Sequence, residues 1–362
     1  MKIAIDARPL SREHKDGIGR YTENALNHMV ELAPEHTWYL YSTRPISTVL
    51  ANKENVYIRQ GNVRSQLADL LWSQFAFSNW ASKDQIDTFW SPRHHLPSML
   101  PNKVRKLVTI HDITWYRYPN TMPIARKWIE KTLMPRSIKQ SNQIIAVSEF
   151  TKAELMSELG IDPQKISVTL LAPSPIERSA PSKPKSLENQ PFFLFVGTLE
   201  PRKNLKNLLL AFSNYLETDK SKQIVIAGKD GWGNISISQI AKKLNIEENV
   251  KILGYVTEEE LHYLYQNCEA LLMPSLYEGF GLPAIEALHY SKPVIATQNS
   301  AITQVLSPLV INTENESPEA IHFALKKLKN LEIKEGEAIT LQTWQNCAKQ
   351  TLDVINRISI DL

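Results

Sequence analysis

A chain of 362 residues, 43% hydrophobic and 22% charged, has the balance of an ordinary globular protein and is long enough for two domains with separate cores. Its formal net charge of +3 sets up no dominant field for nucleic acid, so no nucleic-acid partner is expected. Two distant cysteines, Cys268 and Cys347, argue for a reducing compartment, and neither a secretion leader nor an apolar run of about 18 residues is visible, which excludes a membrane-spanning reading.

Short apolar runs alternate with longer amphipathic segments, the pattern of α/β units on parallel sheets. Ile3–Asp6 is the first expected strand, and Gly17-Ile18-Gly19-Arg20-Tyr21 opens a helix running to about Leu32. Two glycines at a strand-to-helix junction let the backbone approach a phosphate or a sugar, although a tight turn would use them equally. The polar stretch 11–16 reads as a loop that orders on ligand binding. Strands are expected at 37–42, 56–59 and 87–91, with a helix over 65–82. The third of these strands runs into Pro92-Arg93-His94-His95, and the strand over 106–110 ends in His111-Asp112. Ligands of open sheets sit at such strand ends. A solvated loop is the even alternative for residues 93–95, and a lone histidine such as His111 is more often structural. The helix expected over 122–140 carries Arg126, Lys127, Lys131, Arg136 and Lys139 but a single acid, Glu130. It reads as a solvated helix packed through Trp128, Ile129, Leu133 and Met134, with an interfacial or lipid-linked contact as the other reading. Ser148 is placed to cap the helix that follows the strand 142–147.

Residues 174–190, with Pro175, Pro181 and Pro184, read as an exposed connection between domains. A strand at 191–196 leads into Gly197-Thr198-Leu199-Glu200-Pro201-Arg202-Lys203-Asn204-Leu205. Cations at a helix start oppose its dipole, so an anionic partner explains Arg202 and Lys203 better than a solvated turn does. Strands at 223–227, 250–253 and 269–273 follow, with a helix over 258–267. The last strand feeds a loop in which seven residues separate Glu278 from Glu286 and enclose Gly279-Phe280-Gly281-Leu282-Pro283. The glycines permit positive φ or a close backbone approach. Pro283 suits the first position of a helix, which puts Glu278 on the loop and Glu286 in the first turn, beside N–H groups open to an oxygen-rich ligand. Taken alone, the pair also fits a plain loop with a solvated Glu278. Helices over 297–305, 317–327 and 336–358 complete the pattern.

The string Glu278-Gly-Phe-Gly-Leu-Pro-Ala-Ile-Glu286, the turn from Gly197 to Leu205, the Gly17–Arg20 helix start and the His111-Asp112 pair together resemble retaining glycosyltransferases of family 4, with the GT-B fold. The resemblance implies an α/β protein of two Rossmann-like domains facing across a cleft. An acceptor-side domain would span 1–173, a linker 174–190 and a donor-binding domain 191–340, with a C-terminal helix over 341–362 crossing back to the first domain. Arg202 and Lys203 would hold the diphosphate of a nucleotide-sugar, with Gly17 and Gly19 on the donor loop. Glu286 would take the ribose hydroxyls, and Tyr255 and Val256 the base. Gly279, Phe280, Gly281 and Leu282 would orient the sugar. His111 and Glu278 are implied at the reacting centre, and Arg93, His94 and His95 are candidates for the acceptor side. The chain departs from the pattern at Leu171-Ala172-Pro173-Ser174, where many relatives read Asn-Gly-Val/Ile-Asp, and at Thr198, where some carry arginine.

The implied reaction moves a hexose, with retention, to a hydroxyl of a glycan or lipid-linked saccharide. GDP-mannose is the favoured donor, because the motifs look most like bacterial mannosyltransferases of polysaccharide and lipopolysaccharide O-antigen assembly. UDP-sugars and dTDP-rhamnose stay open, as do a non-catalytic sugar-nucleotide-binding protein and a hydrolase. Front-face attack is the favoured route, with double displacement on Glu278 as its competitor. The chain has no Asp-x-Asp triplet, so no metal and no other cofactor is expected. The expected place of work is the cytoplasm, with peripheral contact at the inner face of the membrane left open.

Overall fold

A run such as Lys2–Asp6, buried at four of its five positions, can only be a strand covered on both faces, which is how parallel sheets are built. The computed structural model describes residues 1–12, 15–63, 65–174, 180–233, 236–298, 300–304, 307–329, 331 and 341–360. Its elements begin with β1 (Lys2–Asp6), α1 (Gly17–Leu32), β2 (Thr37–Ser42), β3 (Val56–Gln60), α2 (Gln66–Asp84), β4 (Thr88–Ser91), β5 (Arg105–Ile110), α3 (Thr114–Arg117), α4 (Ile124–Gln140), β6 (Gln143–Ala146), α5 (Glu149–Leu159) and β7 (Ile166–Val168). They continue with β8 (Phe192–Val196), α6 (Leu205–Leu216), β9 (Gln223–Ala227), α7 (Ile237–Lys243), β10 (Val250–Gly254), α8 (Glu258–Asn267), β11 (Ala270–Met273), α9 (Leu282–His289), β12 (Val294–Thr297), β13 (Val310–Thr313), α10 (Pro318–Leu328) and α11 (Trp344–Ile360).

Two compact units result, one of Met1–Ile113, Ala125–Ala172 and Gln342–Leu362, the other of Thr114–Ile124 and Pro173–Leu341. The first holds a parallel sheet in the order β3-β2-β1-β4-β5-β6-β7, with Ile3 facing Trp38 on one side and Thr88 on the other. The second holds a parallel sheet in the order β10-β9-β8-β11-β12-β13. Each order reverses once, between β1 and β4 and between β8 and β11, and the carboxyl ends of such strand pairs are the ligand crevices of open sheets.

In the second unit the period-2 alternation of β8 feeds two cores. Phe193 and Phe195 pack with Leu208, Phe212 and Ile226 on one face. Phe192 and Leu194 pack with Leu264, Ala284 and Leu288 on the other. In the first unit α1 buries Tyr21, Ala25, Leu26 and Met29, and α11 packs against it. The Tyr21 and Trp344 rings lie 6.3 Å apart, and the Thr88 and Ser359 hydroxyls share a hydrogen bond of 3.1 Å.

Several elements differ from expectation. Leu187, inside the stretch taken as exposed linker, is buried with Phe192 and Leu194, while residues 175–179 lie outside the described residues. The described residues of 297–305 form no α-helix: Thr297 ends β12 and Ala301–Gln304 makes a 3-10 turn, while 299 and 305 lie outside the described residues. Described helix at the C-terminus starts at Trp344, and 336–340 lie outside the described residues, as do 13 and 14 of the loop expected to order on binding. Segment 114–124 packs with the second unit rather than the first. Trp232 Nε1 donates to the Thr121 carbonyl at 2.6 Å, and the Tyr118 and Tyr277 rings are 5.7 Å apart.

Candidate active site

The second unit builds its site from two turns at the carboxyl ends of β8 and β11. After β8 the chain makes a 3-10 turn over Pro201–Lys203, and Asn204, at φ +57°, starts α6. Arg202 and Lys203 thus sit one turn before that helix, not within it. The Gly228 backbone presses on this turn: a Cβ there would lie 1.9 Å from the Gly197 carbonyl oxygen. After β11, Ser275–Gly281 loops into α9, with Gly281 at φ +87° as its N-cap. The helix begins at Leu282, one residue before the expected Pro283. Leu276 N–H donates to the Arg202 carbonyl at 2.8 Å, and Ala301 N–H to the Glu278 carbonyl at 3.1 Å, so the two turns are tied together and the loop is held from behind.

Glu278 is the centre of this arrangement, and at 7% exposure it is not the solvated residue of the plain-loop reading. Its Oε1 receives Lys203 Nζ and, at 2.6 Å, Ser275 Oγ, and its Oε2 lies 2.9 Å from Arg202 Nη1. Arg202 also donates from Nη1 to the Tyr277 carbonyl at 2.5 Å. Its Nε and Nη2 reach Glu200 Oε1 at 3.0 and 2.6 Å. Burial pushes the Glu278 carboxyl up, but the charges of Arg202 and Lys203 and the Lys203 and Ser275 hydrogen bonds outweigh it and hold the pKa down at about 2. Two cations face two carboxylates here, so the guanidinium and ammonium are fixed in position before any ligand arrives.

Glu286 points into the protein from the first turns of α9, 2% exposed, and its Oε2 accepts the Tyr265 hydroxyl at 2.7 Å. Tyr265 in turn stacks on Tyr290 at 5.7 Å between centroids. Gly279 and Gly281 are buried, and Phe280 and Leu282 are half-buried. Tyr255 is 48% exposed, while Val256 packs against the core. Glu200, Ser275 and Tyr265 were absent from the sequence-based set. Ser275, three residues before Glu278, carries a local signal; Tyr265, 21 residues before Glu286, carries none.

The other predicted residues lie on the first unit. Gly19 N–H donates to Asp16 Oδ1 at 3.0 Å in the cap of α1, and a Cβ on Gly19 would lie 3.0 Å from that of Lys15. Gly17 is exposed at the start of α1. His111 follows β5, with its Nε2 2.8 Å from the Pro92 carbonyl, so Nε2 carries the proton and Nδ1 is the acceptor. Burial and the neighbouring His94 push its pKa down to about 4, against the pull of the Pro92 carbonyl and Asp112.

His94 and His95 are not a solvated pair. Both are buried, and both rings point at Glu130 Oε2, His94 Nδ1 at 3.4 Å and His95 Nε2 at 2.9 Å. His111 N–H donates to His94 Nε2 at 3.1 Å, which completes a chain from α4 to the end of β5. Burial raises the Glu130 carboxyl, but the two ring N–H groups hold it well below its ordinary value. Among the described residues no group of three His, Cys, Asp or Glu side chains is placed to hold a metal ion. The single acid of the basic helix is therefore an internal partner for two histidines. Trp128, expected on the packed side of that helix, is 60% exposed.

Residues 15–169 match glycosyltransferase family 4, and residues 177–345 match the glycosyl transferases group 1. The O-antigen chain mannosyltransferase B of Escherichia coli is 30% identical over 291 residues, covering 76% of this chain and 75% of its own. The O-antigen chain mannosyltransferase RfbU of Salmonella typhimurium is 27% identical over 272 residues, covering 74% and 73%. The crystal structure of a glycosyltransferase from Rickettsia africae superimposes with a TM-score of 0.69 at 17% identity, over 99% of this chain and 98% of that one. The fold is thus the GT-B type, with two Rossmann-like units. The chain belongs to the family 4 glycosyltransferases, and it is an enzyme of that class.

Proposed function

We propose that the protein moves mannose from GDP-mannose, with retention at the anomeric carbon, to a hydroxyl of a glycan or lipid-linked saccharide in polysaccharide assembly. The names of the two O-antigen mannosyltransferases described above support the choice of sugar. The observation that carries the reaction is the convergence of Arg202 and Lys203 on the loop that leads to Glu286. As the bond from the anomeric carbon to the phosphate oxygen breaks, the leaving diphosphate gains charge, and these two cations meet it without reorganisation. No metal is needed for that role. Glu286, fixed by Tyr265, accepts from the ribose hydroxyls. His111 contributes the Nδ1 acceptor to a sugar hydroxyl.

The state of Glu278 favours front-face attack. A carboxylate already engaged by a lysine, an arginine and a serine is a weak nucleophile, and a pKa of about 2 makes it a poor base. In this route the acceptor oxygen bonds to the anomeric carbon on the face the phosphate leaves. Its proton passes to the departing phosphate oxygen. Glu278 holds the cations and offers negative charge to the oxocarbenium.

A nucleotide-release assay with GDP-mannose and a panel of other nucleotide-sugars tests the reading. Arg202→Ala is expected to lower kcat/KM by about 100-fold or more, roughly 3 kcal/mol of transition-state binding. Full activity in that variant would remove the role given to Arg202. Activity lost in EDTA and restored by Mg2+ would remove the metal-free route. Peripheral contact with an anionic membrane is a second element of the proposal. It is favoured by Ile124 and Trp128, 73% and 60% exposed on α4, with Lys131 Nζ 5.5 Å from the Trp128 ring. Failure to float with anionic vesicles at low salt would remove it.

A further inference from the structure

We propose that the first unit holds a separate anion site built on Arg93, and that it takes a phosphate ester or diphosphate carried by the acceptor. The word acceptor rests on the transferase reading above; the anion site rests on the first unit alone. In that unit the strand order turns between β1 and β4, so the crevice at their carboxyl ends is the place for a ligand. Asp6 ends β1 and Arg8 follows; Ser91 ends β4 and Arg93 follows. Ser91 Oγ lies 2.9 and 2.8 Å from the carbonyl oxygens of Arg93 and His95, which fixes the turn carrying the guanidinium.

Among the described residues, the three carboxylates whose charge acts on Arg93, Asp6, Glu130 and Asp69, each have another partner. Arg8 Nε donates to Asp6 Oδ1 at 2.8 Å and Arg8 Nη2 to Asp6 Oδ2 at 2.5 Å, while Arg8 Nη1 reaches Ser73 Oγ at 2.7 Å. Glu130 accepts from His94 and His95. Asp69 takes the Thr43 hydroxyl. Arg93 is half-buried, yet its guanidinium makes no hydrogen bond or ion pair among the described residues. Burial, with the charge of Arg8, pushes its pKa down to about 10, against the weaker pull of Asp6, Glu130 and Asp69.

A desolvated cation without a counterion is costly, and a structure that keeps one at a ligand crevice has a place for an anion. The planar fork of a guanidinium fits two phosphate oxygens at once. A neutral sugar would leave the charge uncompensated. Phosphate is therefore the chemistry read here, whether it arrives on a lipid headgroup or on a free sugar.

Calorimetric titration of the full chain with inorganic phosphate, geranyl phosphate and geraniol tests this, using wild type, Arg93→Gln, Arg93→Lys and Arg202→Gln. Both phosphate probes are expected to show a binding event that survives Arg202→Gln and weakens at least tenfold in Arg93→Gln, with part retained in Arg93→Lys. Geraniol should not sense Arg93. Tighter binding of geranyl phosphate than of inorganic phosphate assigns the site to a lipid headgroup, and equal binding assigns it to the phosphate alone. Because the guanidinium has no hydrogen-bond or ion-pair partner among the described residues, Arg93→Gln should melt at the wild-type Tm or above. A clear fall in Tm would mean a structural role and overturn the proposal, as would phosphate affinity indifferent to residue 93. Nucleotide-sugar turnover by wild type is measured alongside. Its absence would sink the transferase reading while leaving the phosphate titration standing.

Discussion

Glu278 pairs with both Arg202 and Lys203, and its protonation can be followed. Its pKa falls from an ordinary 4.5 to about 2 on folding. A carboxyl depressed in this way stabilises the fold fully above its unfolded pKa, and the contribution fades as pH drops from 4.5 toward 2. The shift corresponds to about 3 kcal/mol for a group this buried. Urea denaturation between pH 7 and pH 3 should show wild type losing stability in that window. Glu278→Gln should be less stable by about 3 kcal/mol at pH 7, because two cations lose their counterion, and its profile should be flatter. Parallel profiles would place the depressed group elsewhere. Tyr265 offers a second test. Its hydroxyl holds Glu286, and a hydrogen bond to a charged group contributes about 1.5–3 kcal/mol. Tyr265→Phe should weaken GDP binding about fivefold or more while leaving a 2′,3′-dideoxy nucleotide unaffected; equal weakening of both would deny Glu286 the ribose. Arg202, Lys203, Glu278 and Glu286 were legible in the sequence because each sits in a short local string. Their partners were not. Lys203 meets Glu278 across 75 residues, and His95 meets Glu130 across 35. Nothing local marks either pairing, so the sequence leaves His94 and His95 evenly between the acceptor side and a solvated loop, and Glu130 without a partner.

At the scale of elements, caps decide what could be read. The helix over 258–267 matched its expected bounds because Thr257 and Glu260 form a capping box that is written in the sequence. The α9 boundary moved by one residue because Gly281 takes the cap in the left-handed region. The expected helix at 297–305 failed for a tertiary reason. Thr297 extends β12 and gives its hydroxyl to the Ser275 carbonyl, and Ser300 bridges to Glu278, so this backbone holds the Glu278 loop instead of coiling. Gly281 shows how tight that loop is. A Cβ there would sit 3.0 Å from Met273 Cε and 3.1 Å from Ile302 Cγ1, at a φ that side chains avoid. Gly281→Ala should therefore destabilise by about 1–3 kcal/mol, measured by chemical denaturation, and raise the KM for the donor. An unchanged KM would separate the loop from donor binding.

For the whole molecule, the decisive property is that each unit owns its sheet and its core while the chain passes between them more than once. The first unit is stitched from three segments, and α11 supplies the buried Cys347, Ala348 and Ile355 that pack near α1. The second unit holds Arg202, Lys203, Glu278 and Glu286 within one continuous stretch, 173–341. A ligand that binds only the native form of one unit raises the stability of that unit by RT ln(1 + [L]/Kd), about 2.7 kcal/mol at a hundredfold excess over Kd. If the nucleoside diphosphate is held by the second unit alone, calorimetry with saturating GDP should move one of two unfolding transitions and leave the other in place. Glu286→Ala should shrink that displacement, since the phosphate contacts remain while the ribose contact is gone. Replacing GDP with UDP or dTDP ranks the bases by the size of the same shift and bears directly on the choice of donor. Should GDP displace both transitions equally, or neither, the second unit would not be the nucleotide-holding half, and the roles given to its arginine, lysine and two glutamates would have to be reassigned.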